Sequence, residues 1–241
     1  MTASSQLPQL SQLPVIVVTG MAFEARIARG EGVETVFAAR ADLLERALNE
    51  AVARGCSGIV SFGTAGGLAP ELAAGTLIVA DAVDGPSGRI ATDLPWSDQI
   101  AVALAATPLG ARLRRGLQAA VTAPLTGAVA KAALHQATGA LAVDMESHVA
   151  GATAAAHGLP FAVCRAIVDP AWRTLPPAAT AGLRDDGRTA LGPILRELIR
   201  QPSQLGALLQ LAGDARAART SLVEARRALG EAGALRPRAM C

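Results

Sequence analysis

The chain has 241 residues, 51% of them hydrophobic, with 22 Lys and Arg against 20 Asp and Glu, a net charge of +2. That balance leaves no electrostatic footprint for nucleic acid, and no apolar run reaches the ~20 residues that span a bilayer. Aromatic residues are 2% and Tyr is absent, so the one substantial core such a length supports must be built from Ala, Val, Leu and Ile.

Residues 1–13 are polar and lack the basic and apolar regions of a signal peptide, which predicts a cytoplasmic protein. Pro14 to Val18 is a short apolar run ended by Thr19-Gly20, the pattern of a buried first strand. Val33 to Phe37 is a second strand. Ala41 to Arg54 has helical spacing and stops at Gly55. Gly58 to Phe62 is an apolar strand running into a Gly-rich loop, Gly63 to Gly67. Thr76 to Val83 reads as a strand, Asp84 to Asp98 as a loop, and the residues from about Ser97 to Ala106 as a helix. Leu117 to Thr122, a helix from Ala128 to Gln136, and Ala140 to Val143 follow.

Next come a helix from Ser147 to His157, a turn at Gly158-Leu159-Pro160, and an apolar strand from Phe161 to Val168. The Pro-rich segment Leu175 to Ala181 reads as a surface loop. From Ala181 onward the pattern is helix alone, broken at Gly192-Pro193 and Gln201-Pro202. Strands alternating with helices predict an α/β fold, a three-layer αβα sandwich around a mixed, mostly parallel sheet with a helical C-terminal tail. The expected division is a catalytic domain over 14–200 and a helical extension over 201–241.

Cys56, Cys164 and Cys241 are odd in number and unpaired in spacing, and read as reduced thiols. His135, His148 and His157 share no ligand spacing with them, so neither a metal nor a cofactor is expected. The Gly63–Gly67 loop is not a Walker loop, since no Gly-Lys-Ser/Thr follows, and it lacks the dinucleotide spacing. Its glycines let backbone N–H groups approach a ligand closely. Glu24 follows the first strand, Glu146 opens a helix, and Asp169 ends a strand. Arg165 lies inside an apolar strand, where a guanidinium needs a carboxylate, an anion or a wet cleft.

In this order the pieces are specific. A strand entering Gly63-Thr64-Ala65-Gly66-Gly67-Leu68, then Val143-Asp144-Met145-Glu146, then Arg165-Ala166-Ile167-Val168-Asp169 resembles the nucleoside phosphorylase/nucleosidase superfamily. Within it the chain is similar to the methylthioadenosine/S-adenosylhomocysteine nucleosidase type, and more so to a hopanoid-associated branch. That second likeness rests on Thr19-Gly20-Met21-Ala22-Phe23-Glu24-Ala25-Arg26, on Val143 to Ser147, and on Asp169-Pro170 followed by Leu175-Pro176-Pro177-Ala178-Ala179.

The resemblance implies roles. Asp169 matches the acid that protonates N7 of a departing purine, which near neutral pH requires a raised pKa. Glu146 matches the residue that binds the ribose hydroxyls, and Met145 packs on the sugar. Glu24 matches the base that activates water, and Thr64 and Arg165 help place that nucleophile. The backbone at Ala65 and Gly66 contacts the base or the nucleophile. Pro124-Leu125-Thr126 stands where these nucleosidases often carry a stacking Phe.

Glu24 also bears on whether water or phosphate attacks, because a desolvated carboxylate beside a phosphate dianion costs several kcal/mol. Hydrolysis is the expectation and phosphorolysis, of the same substrate or of a soluble purine nucleoside, the alternative, with Arg26 as a residue that could swing toward phosphate. A non-catalytic nucleoside-binding protein is a further alternative. The branch implies adenosylhopane as substrate, cleaved to adenine and ribosylhopane. It also implies a homo-oligomer, and the leucines and arginines of the tail allow peripheral contact with a membrane or packing on the domain.

Overall fold

The computed structural model describes residues 13–182 and 184–237; Cys241 lies outside them. Strand β1 (Val15–Thr19) is wholly buried, as a strand covered on both faces should be. It runs parallel to β2 (Val33–Phe37) on one side and to β3 (Gly58–Gly67) on the other. Helices α1 (Ala22–Ala28) and α2 (Ala41–Ala53) make the connections. Then come β4 (Leu77–Gly85), β5 (Gly88–Ala91), α3 (Leu94–Ala105), β6 (Leu113–Ala120), α4 (Ala128–Thr138) and β7 (Ala142–Asp144). The chain continues through α5 (Ser147–Ala156), β8 (Phe161–Asp169), α6 (Pro177–Ala181), α7 (Leu191–Arg200) and α8 (Leu205–Glu231).

The sheet runs β2-β1-β3-β7-β6-β4-β5, with β8 pairing both β3 and β4. Strands β3, β8, β4, β6 and β7 therefore pair in a closed circuit. Most pairs are parallel; β3 with β7, β4 with β5 and β4 with β8 are antiparallel. Alternate residues of β1 face opposite layers. Val15 and Val17 meet Trp96, Ile100, Leu222 and Leu229 from α3 and α8. Ile16 and Val18 meet Leu44, Leu48, Val149 and Ala154 from α2 and α5. The result is the expected mixed αβα sandwich, with its centre curled into the strand circuit.

Several local expectations need correction. Residues 63–67 are not a loop: β3 continues through Gly67, with a register shift against β8 between Ala65 and Gly66. The expected loop over 84–98 contains β5 and the start of α3, capped by Asp93 accepting from the Trp96 N–H. The Pro-rich segment contains α6, with Ala178 buried. Gly192-Pro193 does not break α7, because proline in a first turn loses no intrahelical hydrogen bond. Residues 184–190 are not helical.

The C-terminal helix α8 lies on the β8 side of the sheet. Ala218, Leu222, Ala225 and Leu229 enter the core there. Ser221 Oγ donates to the Gly75 carbonyl at 2.8 Å, and the buried Trp96 Nε1 donates to Ala234 O at 3.1 Å. Among the described residues no helix is long and apolar enough to cross a membrane. Leu222→Ala is expected to lower the unfolding free energy by about 2–4 kcal/mol in urea titrations, whereas Leu209→Ala, 65% exposed, should stay within about 0.5 kcal/mol.

Candidate active site

The strand circuit brings three chain segments to one end of β3. Parallel register sets Gly63 beside Arg165 and Gly66 beside Asp169. Antiparallel pairing sets Gly66 beside Val143, one residue before Asp144. Glu24, in the first turn of α1, reaches the same place from the end of β1.

Arg165 is fully buried and is the hub. Its Nη2 donates to Ser61 Oγ at 2.6 Å and lies 3.2 Å from Glu146 Oε2; its Nη1 donates to Thr64 O at 3.2 Å. Its Nε is 2.9 Å from Asp144 Oδ2, but the N–H is not aimed along that line, so the contact is ionic. Ser147 Oγ donates to Asp144 Oδ2 and lies 2.9 Å from Ser61 Oγ. Each hydroxyl has one proton, so the direction is fixed: Arg165 to Ser61, Ser61 to Ser147, Ser147 to Asp144. Asp144 Oδ1 also accepts from the Ser147 and Glu146 N–H groups, at 2.9 and 3.2 Å, and so caps α5.

Glu24 is 1% exposed. Its Oε1 accepts from Thr64 N at 2.7 Å and Thr64 Oγ1 at 2.6 Å. Its Oε2 accepts from Gly20 N at 3.1 Å and Met21 N at 3.0 Å. The glycines explain how charged groups pack so close to backbone. A Cβ on Gly63 would lie 2.7 Å from Glu24 Oε2 and 2.9 Å from Arg165 Nη1; one on Gly20 would lie 2.3 Å from Glu146 Oε1. Gly63 also has φ of +155°, outside the main regions that L-residues occupy.

Asp169 ends β8 with its carboxyl against Gly66, at 3.4 and 3.5 Å from where a Cβ would stand. Its Oδ2 accepts a hydrogen bond from the buried Lys131 Nζ. Burial pushes the Asp169 carboxyl above its ordinary value; Lys131 pulls it down and Asp214 pushes it up. Burial also pushes Glu146 up, to about 8, against the attraction of Arg165 and with the repulsion of Asp144 and Glu24. Burial opposes the Arg165 charge, but Asp144, Glu146 and Glu24 more than offset it, and the guanidinium pKa is raised.

The expected residues thus gather at one end of the sheet. Thr64 and Gly66 are the partly exposed positions of this stretch of β3, whereas the Ala65 side chain points into a separate core cluster with Leu72 and Ile167. Met145 lines a cavity of about 270 Å³ with Thr122, Pro124, Thr180 and Arg184. Arg26 is exposed on α1. Trp96 is core, and Trp172 is 56% exposed. Asp144, Ser61, Ser147 and Lys131 belong to the arrangement without having been singled out from the sequence. Asp144, as the cap of α5, carried a legible helix-start signal; Lys131 in an Ala-rich helix carried none. Among the described residues no group of three His, Cys, Asp or Glu is placed to hold a metal ion.

A buried guanidinium among carboxyl groups thus lies at the strand ends of a curled α/β sheet, the end at which open α/β sheets hold their ligands. Residues 12–199 match the phosphorylase superfamily, and the chain belongs to that superfamily. It is 32% identical over 165 residues to the futalosine hydrolase of Streptomyces coelicolor, covering 63% of this chain and 66% of that protein, just under two thirds of the relative's length. The native structure of Helicobacter pylori futalosine hydrolase aligns over 92% of this chain and 98% of its own, with TM-score 0.66 and 13% identity. The 5′-methylthioadenosine/S-adenosylhomocysteine nucleosidase of S. pneumoniae, bound to a transition-state inhibitor, aligns over 90% of this chain and 100% of its own, with TM-score 0.62 and 16% identity. These structural likenesses establish the shared fold.

The raised Glu146 carboxyl has a consequence for stability. Unfolded, it ionises near the ordinary carboxyl value of 4.5; folded, at about 8. Between these values the unfolded chain has released a proton that the folded chain still holds, so stability falls as pH rises. Glu146→Gln removes that loss. Urea titrations should show the variant gaining on the wild type between pH 5 and pH 8; a difference that is flat or reversed over this range contradicts a Glu146 carboxyl raised by burial.

Proposed function

We propose that the chain hydrolyses the N-glycosidic bond of a purine nucleoside. The observation that carries this is the charge arrangement: Glu24, Asp144 and Glu146 are set around Arg165. A phosphate dianion placed there would meet carboxylates, with the guanidinium already engaged, at a cost of several kcal/mol in a desolvated cleft. Water carries no such penalty. Arg26, the residue that a phosphate site could recruit, is exposed.

The reaction follows from the groups present. Glu146, once ionised, accepts hydrogen bonds from the ribose hydroxyls and is held in place by Arg165 and by the bare Cα of Gly20. Asp169 delivers a proton to N7 as the C–N bond lengthens, so that the base leaves neutral. Glu24, anchored through Thr64 and the start of α1, takes a proton from the water that adds to the anomeric carbon of the oxocarbenium-like sugar. Because the acid must hold its proton while Glu146 must lose its own, kcat/KM should pass through a maximum in pH.

For the substrate we favour adenosylhopane, cleaved to adenine and ribosylhopane, on the strength of the motifs around Glu24, Glu146 and Asp169. The exposed apolar side chains Leu195, Ile199, Leu205 and Leu209 beside Arg196 and Arg200 suit a lipid surface, and so a cytoplasmic protein in peripheral contact with a membrane. Futalosine is the second reading, because the Streptomyces relative is a futalosine hydrolase. Base release from adenosylhopane, futalosine and methylthioadenosine in phosphate-free buffer tests the proposal. Release of adenine from adenosylhopane is expected, and Asp169→Asn should slow it at least ~100-fold. No release from any of the three would remove the catalytic reading and favour a binding protein.

A homo-oligomer is proposed from the apolar hollow lined by Leu68, Pro70, Val129, Ala132 and Trp172, in which Val129 is 86% and Trp172 56% exposed. Sedimentation should give a mass above that of one chain, and the protein should float with hopanoid-containing anionic liposomes. A monomer that stays at the bottom of the gradient contradicts both.

A further inference from the structure

Lys131 is the side chain for which the reaction above has no use. It is 0% exposed, and among the described residues of α4 it is the buried one. An otherwise Ala-rich surface helix is thus anchored through an ammonium group. A buried ion pair is a weak device for stability, since apolar residues of similar volume often serve as well. The surroundings of Lys131 are specific. Nζ donates to Asp169 Oδ2, to Pro170 O at 3.2 Å and to Arg173 O at 3.0 Å, with Asp169 O at 3.4 Å. The three shorter contacts match the three protons of an ammonium, and all four acceptors lie on Asp169 and the turn that follows it. The same turn is tied to the start of α4 by Leu175 N donating to Thr126 O at 2.8 Å and Ala128 N donating to Thr174 Oγ1 at 3.3 Å.

We propose that Lys131 is a positioning residue for Asp169, holding Oδ2 of the acid so that Oδ1 is the oxygen presented to the leaving base. The proposal rests on the nucleosidase reading above. With Oδ2 committed to the ammonium, the carboxyl cannot turn freely about its last bond, and the proton it donates has one direction to go. The ammonium also makes the carboxyl a stronger acid. The other charged groups nearby are Asp214 on α8 and Arg173 in the turn, which pair with each other at 2.7–2.9 Å. Lys131 is therefore the cation in direct contact with the acid.

The test is the pH profile of kcat/KM for Lys131→Met, with base release as the readout. Activity is lost on the alkaline side when Asp169 loses its proton. Removing the ammonium raises the pH at which that happens, so the alkaline limb should move up by about one pH unit or more. The plateau kcat should drop ~10-fold or more with the loss of orientation. Lys131→Arg keeps the charge and should return the limb toward its wild-type position. Lys131→Gln removes the charge but retains donors for the turn carbonyls, and gives the same readout should Lys131→Met not fold. A structural role alone would lower activity equally at every pH. An active wild type with an unmoved alkaline limb in the neutral variants overturns the role of Lys131; a wild type that releases no base overturns the nucleosidase reading itself.

Discussion

The burial of Arg165 is the constraint on which the rest of the site depends. A guanidinium with no exposure must be neutralised and must spend its donors on fixed acceptors. The carboxyl groups of Asp144 and Glu146 lie against it, and Ser61 and Thr64 supply the acceptors. Three of these also set a neighbouring element: Asp144 caps α5, Ser61 reaches Ser147 in its first turn, and Thr64 carries Glu24. One buried cation thus fixes the end of β3, the entry to α5 and the start of α1 relative to one another.

The sheet makes that burial possible. An open parallel sheet would leave the ends of β3, β7 and β8 side by side but splayed. Here β8 crosses to β4, and the circuit closes back to β3 through β6 and β7. Residues from distant parts of the chain then share one small volume. The glycines of β3 belong to this design. They do not form a turn; Gly63 leaves room for Glu24 and Arg165, and Gly20 leaves room for Glu146.

Much of this was legible in the sequence. The strand over Val33–Phe37 and the helices starting at Ala41, Ala128 and Ser147 followed from apolar spacing and stop signals. Arg165 stood out because a charge inside an apolar run demands a partner, whereas Glu24, Glu146 and Asp169 were marked by the resemblance of the motifs that hold them. Less local features were hidden. Strand pairing between β8 and β4 joins segments far apart in sequence, and no periodicity reports it. Gly-rich residues 63–67 looked like a loop because glycine is poor in strands unless something must come close. Lys131 carried no signal, since burial of a helix residue is normally announced by an apolar stripe. The tail showed its helices but not that α8 packs Leu222 and Leu229 on the sheet.

In the proposed reaction this carboxylate-rich site takes water, and not phosphate, as the nucleophile. Identifying the sugar product while phosphate is titrated into the reaction tests it most directly. Hydrolysis gives a free reducing sugar at every phosphate concentration, with a rate of base release that added phosphate leaves unchanged. A sugar 1-phosphate as product, with a rate that climbs with phosphate, would contradict it.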